Sequence, residues 1–258
     1  SPVIVRSSSI LEDGFGNAFA GKYESVFCPG VGSLKDRLKE FEDAVRVVYA
    51  STLSRSALDY RLRRGLNGRD EQMALLVQRV SGSHYGDYYM PCAAGVGYSY
   101  STYRFLDSLD PKAGMLRMVM GLGTSAVDRT SGSYPRLVSL DRPKAVAYKS
   151  QAEHHRFSQR NVDLLNRSTG TLEAVPRENV TAVIPQHIKN AVLSHDLEAE
   201  RRLAEAGRRR NVMFISCAGL VANEQLMADM QDLMQALQSE YGQPVDIEFT
   251  VNLSDDGS

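Results

Sequence analysis

Residues 223–251 constrain the fold more than any other segment, because they contain a helix, a stop signal and a strand in succession. Asn223 can cap the helix, Gly242 supplies its end, and Pro244 prevents it from resuming. The apolar positions of this helix follow one face, namely Leu226, Met230, Leu233, Leu237 and Tyr241. A final strand is predicted over residues 245–251. We therefore expect a fold in which helices pack on a sheet.

The predicted final strand separates apolar from acidic side chains. Because side chains alternate across a strand, one face carries Ile247, Phe249 and Val251, and the other carries Asp246, Glu248 and Thr250. Two carboxylates on one face repel each other unless a cation lies between them. Two interpretations are open: an acidic face in water, which alternation alone favours, and a cation site.

The N-terminal stretch joins a short strand to a cation and a flexible loop. Residues 3–5 are β-branched and predict a strand that delivers Arg6, Ser7 and Ser8 into a glycine-rich loop. A guanidinium group binds phosphate through a planar fork of donors, so Arg6 is a candidate phosphate ligand. A salt bridge to Glu12 or Asp13 is an equally open alternative, and the two serines can assist or simply cap a turn.

Further helices and strands follow from periodicity and turn residues. Ser33 can cap a helix with apolar residues at 34, 38, 41, 45 and 48, and a second helical stretch covers residues 57–64. A charged helix is predicted over 185–210. The predicted strands are 73–80 and 212–215, both buried, 93–100, and the pair 136–140 and 144–149. Residues 121–123 form a sharp turn, and 151–177 is a polar, loop-rich segment without a sustained period.

Composition excludes several classes of protein. The net charge of −1 argues against a general nucleic-acid partner, which usually needs a basic surplus. No run approaches the roughly 20 apolar residues that span a bilayer, and no leader of the secretory kind opens the chain. Because no apolar run is long enough to span a bilayer, we expect no membrane partner. Three widely separated cysteines are typical of reduced thiols, so we expect a cytoplasmic protein.

Several other features of the sequence are expected to be structural or solvent-exposed instead of functional. His154 and His155 lie in a polar stretch without a carboxylate or cysteine at ligand spacing, so we expect exposed histidines. Residues 208–210 are arginines that close the charged helix, where cations favour the helix dipole. Met227, Met230 and Met234 follow helical spacing and are expected in the core. No catalytic residue is assigned.

An ordered series of motifs runs along the chain, with Val-Arg-Ser-Ser at residues 5–8, Glu-Asp at 12–13, Phe-Ala-Gly at 19–21 and Gln-Arg-Val at 78–80. These motifs resemble the "VRSS…ED…FAG" pattern and the "VQ-x-MV" segment in the nucleotide-binding module of phosphoenolpyruvate synthase and pyruvate phosphate dikinase. Its "aGVmFS" strand resembles residues 94–99, its "GLGE" turn residues 121–124, and its "DIE" strand residues 246–248. The resemblance covers nearly the whole chain.

The resemblance implies roles for individual residues. Arg6 would contact ATP phosphates with help from Ser7 and Ser8, and the region of Gln78 and Val80 would form the hinge that binds adenine through its backbone. Gly121 and Gly123 would also contact ATP. Glu248 would be a magnesium ligand, and Asp246 would contact the nucleotide or its metal. The implied cofactors are therefore ATP and Mg²⁺.

Two positions depart from the family pattern. Thr124 stands where relatives have a glutamate, so this chain either lacks that contact or supplies Asp128 instead. Lys22 stands where the family commonly has a glutamine, and we expect it to be solvated.

The family also implies an architecture. We expect an α+β, ATP-grasp-like fold with mixed or antiparallel sheets and helices packed on one face. The chain would be a fragment of a larger protein, lacking the N-terminal part of the module and a downstream "Q-x-R" strand. A subdomain boundary is expected near residues 180–185. The partners would be ATP and, in the larger protein, a phosphohistidine domain and a phosphoenolpyruvate/pyruvate domain.

The resemblance implies one leading function and leaves alternatives. The leading function is the ATP- and magnesium-binding part of a dikinase-like phosphotransferase that delivers ATP phosphate to a histidine on a separate domain. A degenerate, non-catalytic module that senses nucleotide or binds another protein is the alternative, which the Thr124 departure motivates. Phosphorylation of another acceptor, as in related antibiotic- or glucan-directed dikinases, is a third possibility.

Overall fold

A computed structural model describes residues 1–9, 11–12, 21–127 and 134–254 of the chain. The described elements are strands and helices interspersed along the sequence. In chain order they are β1 (Val3–Ser9), β2 (Ser25–Cys28), α1 (Leu34–Ser51), α2 (Arg55–Arg63), β3 (Met73–Arg79), β4 (Ser83–Tyr85), β5 (Tyr88–Met90), β6 (Ala93–Tyr98), β7 (Met115–Met120), α3 (Thr124–Val127), β8 (Arg136–Ser139), α4 (Gln151–Arg156), β9 (Asn161–Asn166), β10 (Thr171–Pro176), α5 (Arg177–Val183), α6 (Gln186–Val192), β11 (Leu193–His195), α7 (Leu197–Glu205), β12 (Met213–Ile215), α8 (Ala218–Ala222), α9 (Glu224–Tyr241) and β13 (Asp246–Val251).

The architecture is mixed α/β with antiparallel strand pairs, as the sequence predicts. It is consistent with an ATP-grasp-like domain, and that finer assignment stays a prediction. The strands form sheets in the orders β2-β1-β3, β10-β9-β5-β4, β11-β12 and β13-β6-β7-β8.

The chain divides into two compact units. Unit 1 contains Ser1–Val80 and Leu165–Leu172, and unit 2 contains Ser81–Leu164 and Glu173–Ser258. The boundary that the sequence suggests near residues 180–185 is not the one that separates these units, and it stays a prediction.

Unit 1 places helix α1 on one face of the β2-β1-β3 sheet. Ser33 begins α1 as predicted, since its hydroxyl accepts from the Asp36 N–H while the Asp36 side chain accepts from the Ser33 N–H. The helix buries Ala44 and Val48 against Val5 of the sheet. Its N-terminal apolar residue Leu34 is 75% exposed, so the buried stripe is shorter than the periodicity predicts.

The strand predicted over residues 73–80 forms as β3, but its predicted burial is wrong. Leu76 and Val77 are 44% and 47% exposed. They point to opposite faces, because successive side chains of a strand alternate. An apolar run of this length therefore indicated the strand correctly and overestimated the packing available to it.

Unit 2 is built around the β13-β6-β7-β8 sheet and helix α9. The core stripe of α9 is Met227, Met230 and Met234, as expected for those methionines. The predicted stripe is displaced, since Leu233 is 46% and Tyr241 is 68% exposed. Gly242 ends the helix with φ +65, as predicted.

Close packing between strands of this sheet depends on Gly95 in β6. A Cβ at Gly95 would lie 2.0 Å from the Arg117 carbonyl oxygen and 2.9 Å from Phe249 Cζ. The prediction that glycines in this strand mark a close approach is confirmed. The approaching groups are the neighbouring strand β7 and a side chain of β13.

Three predictions for the middle of the chain are wrong. Strand β8 pairs with β7, and residues 144–149 form turns and bends instead of a partner strand. The supposed loop at 151–177 contains α4, β9 and β10. The supposed helix at 185–210 is interrupted by β11, which pairs with β12, so α7 ends before Arg208, Arg209 and Arg210.

All three cysteines lie in the described residues. Cys28, Cys92 and Cys217 are buried free thiols. No helix in the described ranges combines the length and apolar character needed to cross a bilayer.

Candidate functional site

In unit 1, the sheet register places Arg6 and Gln78 on one face. Arg6 lies opposite Leu76, and Ile4 lies opposite Gln78, so all four side chains project from the same side of the β1–β3 pair. Helix α1 covers the other side, where it packs on Val5. The face with Arg6 thus combines a guanidinium group, an amide and apolar side chains.

Ser7 and Ser8 lie on opposite faces of β1. Ser8 shares the face of Arg6, because alternate residues of a strand point the same way. Ser7 points to the other face, and its hydroxyl donates to Glu12 Oε1 at 3.0 Å. Glu12 also donates its N–H to Ser9 at the following turn. The geometry of Ser7 therefore matches the turn-stabilising interpretation that the sequence left open.

The loop that follows β1 lies partly outside the described residues. Asp13, one of the two alternative partners for Arg6, and the glycines at 14 and 16 belong to that part. Lys22 is described and is not simply solvated: it is half-buried, with Nζ 5.9 Å from the centroid of the Tyr60 ring. This geometry is a cation–π contact.

The predicted adenine hinge ends at Val80, which is buried. The Val80 N–H donates to the Pro2 carbonyl oxygen at 3.0 Å, so this donor is used inside the sheet. Gln78 is exposed two residues earlier. Backbone recognition at the hinge would therefore have to use groups other than the Val80 N–H.

In unit 2, strand β13 carries the predicted acidic face at the edge of its sheet. Asp246, Glu248 and Thr250 are exposed, while Ile247, Phe249 and Val251 are half-buried, so the alternation is confirmed. The apolar side meets α9, since a Cβ at Gly97 would lie 3.1 Å from both Ile247 Cγ1 and Met234 Sδ. The acidic side is the opposite face of the same sheet.

Charges on the acidic face lie in one row across the sheet. Glu248 lies opposite Val96, which in turn lies opposite Arg117 of β7. Neighbouring strands are ~4.8 Å apart, so the backbones of Glu248 and Arg117 are separated by about 10 Å. The Asp246 side chain is exposed, but partial desolvation by the surrounding protein raises its pKa above its ordinary value. A bound cation would lower that pKa again, because it favours the charged carboxylate.

The predicted turn at residues 121–124 connects β7 to α3 beside strand β9. Gly121 has φ +86, and a Cβ there would lie 2.5 Å from the Asp163 carbonyl oxygen. The Leu122 N–H donates to that oxygen at 2.8 Å. Gly123 is less constrained, with its nearest neighbour, Ala94 Cβ, at 3.4 Å. The glycine at 121 is therefore required by the close approach of β9.

Asp163 brings a carboxylate to this turn, which sequence reasoning missed. Its Oδ2 accepts from the Thr124 hydroxyl at 2.6 Å and from the Ser125 hydroxyl. The sequence signal was a single aspartate inside the apolar run 162–165, hidden by the assignment of residues 151–177 as loop. Asp128, the substitute suggested for the family glutamate, lies outside the described residues.

The side chain of Gln159 holds Met120, the last residue of β7, immediately before the turn. Its side chain is 2% exposed, accepts from the Met120 N–H at 2.8 Å and donates to the Met120 carbonyl at 2.9 Å. Both backbone groups of the residue preceding Gly121 are thus satisfied by one amide. This arrangement stabilises the position of the turn.

His154 and His155 are not the exposed side chains that the sequence predicts. His154 stacks on Tyr148 with ring centroids 4.6 Å apart, and burial, reinforced by Arg136 and His155, lowers its pKa to about 4. His155 Nδ1 is 2.8 Å from Asp196 Oδ2. The carboxylate partner comes from 41 residues further along the chain, beyond the reach of local spacing arguments.

The described residues offer few clustered ligands for a metal ion. No group of three or more His, Cys, Asp or Glu side chains in the described ranges could hold a metal ion by itself. Mg²⁺ in nucleotide sites uses one or two carboxylates and completes its shell with phosphates and water. Asp246 and Glu248 fit that donor set.

Comparison with known protein families assigns this chain to the nucleotide-binding domains. The family described as pyruvate phosphate dikinase, AMP/ATP-binding domain, matches residues 1–258. The chain belongs to this family, and it is the ATP-binding part of a dikinase-like protein. No curated protein matches the chain.

Proposed function

We propose that this chain binds magnesium-ATP and delivers ATP phosphate to a histidine on a separate domain. The observation that carries the proposal is the pair of carboxylates, Asp246 and Glu248, on the exposed face of β13. These residues form the strand that the family resemblance singles out for the metal. An ATP-grasp-like fold, as in the resembling enzymes, is part of the same proposal.

The residues of unit 1 would bind the nucleotide. Arg6 would hold phosphate oxygens through its planar donors, with Ser8 on the same face of β1. Ser7 would act on the turn through Glu12 instead of on the nucleotide. Gln78 and the backbone near Val80 would contact adenine.

The residues of unit 2 would hold the metal and shape the phosphate end. Bound Mg²⁺ would neutralise charge on the phosphate oxygens during transfer. Glu248 and Asp246 would be its protein ligands. Gly121 and Gly123 would contact ATP at the turn that Asp163 holds through Thr124 and Ser125.

A phosphate-binding role for Arg6 predicts a specific loss. Arg6→Ala should weaken ATP binding by roughly tenfold or more, because a charge-assisted hydrogen bond contributes about 1.5–3 kcal/mol. Arg46→Ala is the matched control, since Arg46 is an exposed arginine of α1 paired with Glu42 and Asp43. Titration calorimetry should show weakening only for Arg6→Ala, and equal affinities in both variants would contradict the role.

Phosphate delivery is tested in the protein that contains this chain. Incubation with magnesium-ATP should produce protein-bound phosphate that is labile to acid and stable to base, as phosphohistidine is. The same label should be absent from the Glu248→Ala variant. Nucleotide binding without any phosphohistidine would instead favour a nucleotide-sensing module, the alternative to which the Thr124 substitution points.

A further inference from the structure

A cavity of about 490 Å³ in unit 2 is lined by cationic side chains. Its lining includes His155 and Arg156 of α4, Arg160 and Asn161 at the start of β9, and Arg177 and Glu178 at the start of α5. None of the residues assigned to ATP lines it. The cavity is therefore a separate feature of the surface.

Arg177 is held in place by a relay of hydrogen bonds from a buried carboxylate. The Asp196 side chain is 4% exposed, accepts from the Ala199 N–H at 2.9 Å, and contacts His155 Nδ1 at 2.8 Å. His155 Nε2 lies 3.0 Å from Arg177 Nη2. Because arginine can only donate, Nε2 is the acceptor, and Nδ1–H therefore donates to Asp196.

A second contact fixes the orientation of the Arg177 guanidinium. Its Nε donates to Glu178 Oε1 at 2.9 Å, and its side chain is only 17% exposed. Burial by itself would raise the pKa of Glu178, but hydrogen bonds from its own backbone N–H and from Arg177, together with the positive charge of Arg177, lower it below its ordinary value. Two of the five N–H donors of Arg177 are thus committed to protein partners, and the group is preorganised at the cavity wall.

The other two arginines add positive charge without matching carboxylates. In the described parts of the chain, no carboxylate lies within the 4.0 Å ion-pair distance of Arg156 or Arg160, and Arg156 lies over the Phe157 ring at 5.4 Å. Surface arginines elsewhere, such as Arg46 and Arg202, pair with acidic residues of their own helices. Three guanidinium groups surround the cavity, and Glu178 is the one carboxylate among the described lining residues, so positive charge is in excess.

We propose that this cavity binds a small phosphate-bearing anion, either inorganic phosphate or a phosphate monoester. The planar donor fork of a guanidinium group can bind two oxygens of a tetrahedral phosphate, and a bound dianion would relieve the repulsion between clustered arginines. Pockets of about 300–1,000 Å³ accommodate small ligands, so the cavity has room for an organic group beyond the phosphate. Arg156 and Arg160 would supply charge, and Arg177 would fix the orientation of the anion.

The test is a titration of the whole chain with inorganic phosphate and, separately, with glycerol phosphate. Both should raise the melting temperature and give a measurable heat of binding, and the Arg156→Ala/Arg160→Ala variant should bind roughly tenfold more weakly or worse. The Arg208→Ala/Arg209→Ala variant removes the same charge from exposed residues outside the cavity and should bind as the parent does. Tighter binding of glycerol phosphate would identify the organic group as part of the ligand.

Two controls keep the result specific to the cavity. The Arg156→Ala/Arg160→Ala variant should bind magnesium-ATP as the parent does, which separates this cavity from the proposed ATP site. The far-ultraviolet circular dichroism of both double variants should match that of the parent chain. No binding of either probe at millimolar concentration would overturn the proposal, and so would equal affinity in the two double variants.

Discussion

The Asp163 carboxylate accepts hydrogen bonds from two hydroxyl groups, those of Thr124 and Ser125, at the start of α3. Its main-chain oxygen accepts from the Leu122 N–H in the same turn. One residue of β9 therefore fixes both the backbone and the side chains of the segment that resembles the family's glycine-rich turn. Thr124, which directly follows Gly123 in that turn, donates to a carboxylate from another strand.

Loss of that carboxylate should destabilise unit 2. Asp163→Ala should lower the free energy of unfolding by about 2–3 kcal/mol, because two part-buried hydroxyl groups lose their acceptor. Asp163→Asn keeps an acceptor oxygen and should cost only about 1 kcal/mol. Urea denaturation followed by circular dichroism measures both changes. An alanine variant as stable as the parent would show that the turn does not depend on Asp163.

His154 makes stability depend on pH in a defined direction. Its pKa is about 4 in the folded chain, against an ordinary value of 6.5, mainly because it is buried. Above pH 6.5 the histidine is neutral in both states, so its contribution is complete. As the pH falls from 6.5 to 4, the unfolded state takes up the proton first, and stability is lost.

The expected loss across this window is about 1–2 kcal/mol, reduced from the full linkage value because the ring is partly exposed. The His154→Gln variant should show a flatter pH dependence of stability than the parent between pH 6.5 and 4. Chemical denaturation at several pH values measures the slopes. Parallel curves for the parent and His154→Gln would refute the assignment.

At the scale of elements, β6 tolerates no side chain at Gly95, because strand β7 and Phe249 approach too closely. Gly95→Ala should destabilise the chain by about 1–3 kcal/mol through overpacking in the sheet. Gly123→Ala is the matched control, since its Cβ would make only an ordinary contact of 3.4 Å with Ala94. Melting temperatures should fall clearly for Gly95→Ala alone, and a similar fall in both variants would contradict the account.

Local patterns predicted the elements that carry strong start and stop signals. Helices α1 and α9 begin at Ser33 and Asn223 as expected, and Gly242 ends α9. The alternation in β13 correctly separated its two faces. These features depend on hydrogen bonds and side-chain directions within a few residues, which is why the sequence alone reveals them.

Tertiary pairing overrode local pattern elsewhere. The charged segment 185–210 has helical character, but Leu193 pairs with Ile215 and His195 with Met213, so three residues become a strand. In α9 the buried residues are Met227, Met230 and Met234, and not the neighbouring leucines. Helix propensity and periodicity cannot specify which of two adjacent stripes meets a partner.

At the scale of the whole molecule, family membership extends over residues 1–258, and the predicted site residues divide between the two units. Sequence motifs single out Arg6, Gln78 and Glu248 because each belongs to a contiguous pattern, and their roles in a site stay predictions. The roles of Asp163 and of the cationic cavity were not predicted, because the residues that meet there are far apart in the sequence. Asp163 is 39 residues from Thr124 and 38 from Ser125. His155 is 41 residues from Asp196. Such contacts exist only once the chain is folded.

The central claim is that the chain binds ATP through a magnesium ion held by Glu248. The most direct measurement is a calorimetric titration of ATP into the parent chain and into Glu248→Ala, each with and without Mg²⁺. Thr250→Ala is the control, since Thr250 is exposed on the same face of β13. The account predicts that magnesium strengthens ATP binding in the parent and in Thr250→Ala, and that Glu248→Ala loses this effect. An unchanged, magnesium-dependent ATP affinity in Glu248→Ala would contradict it.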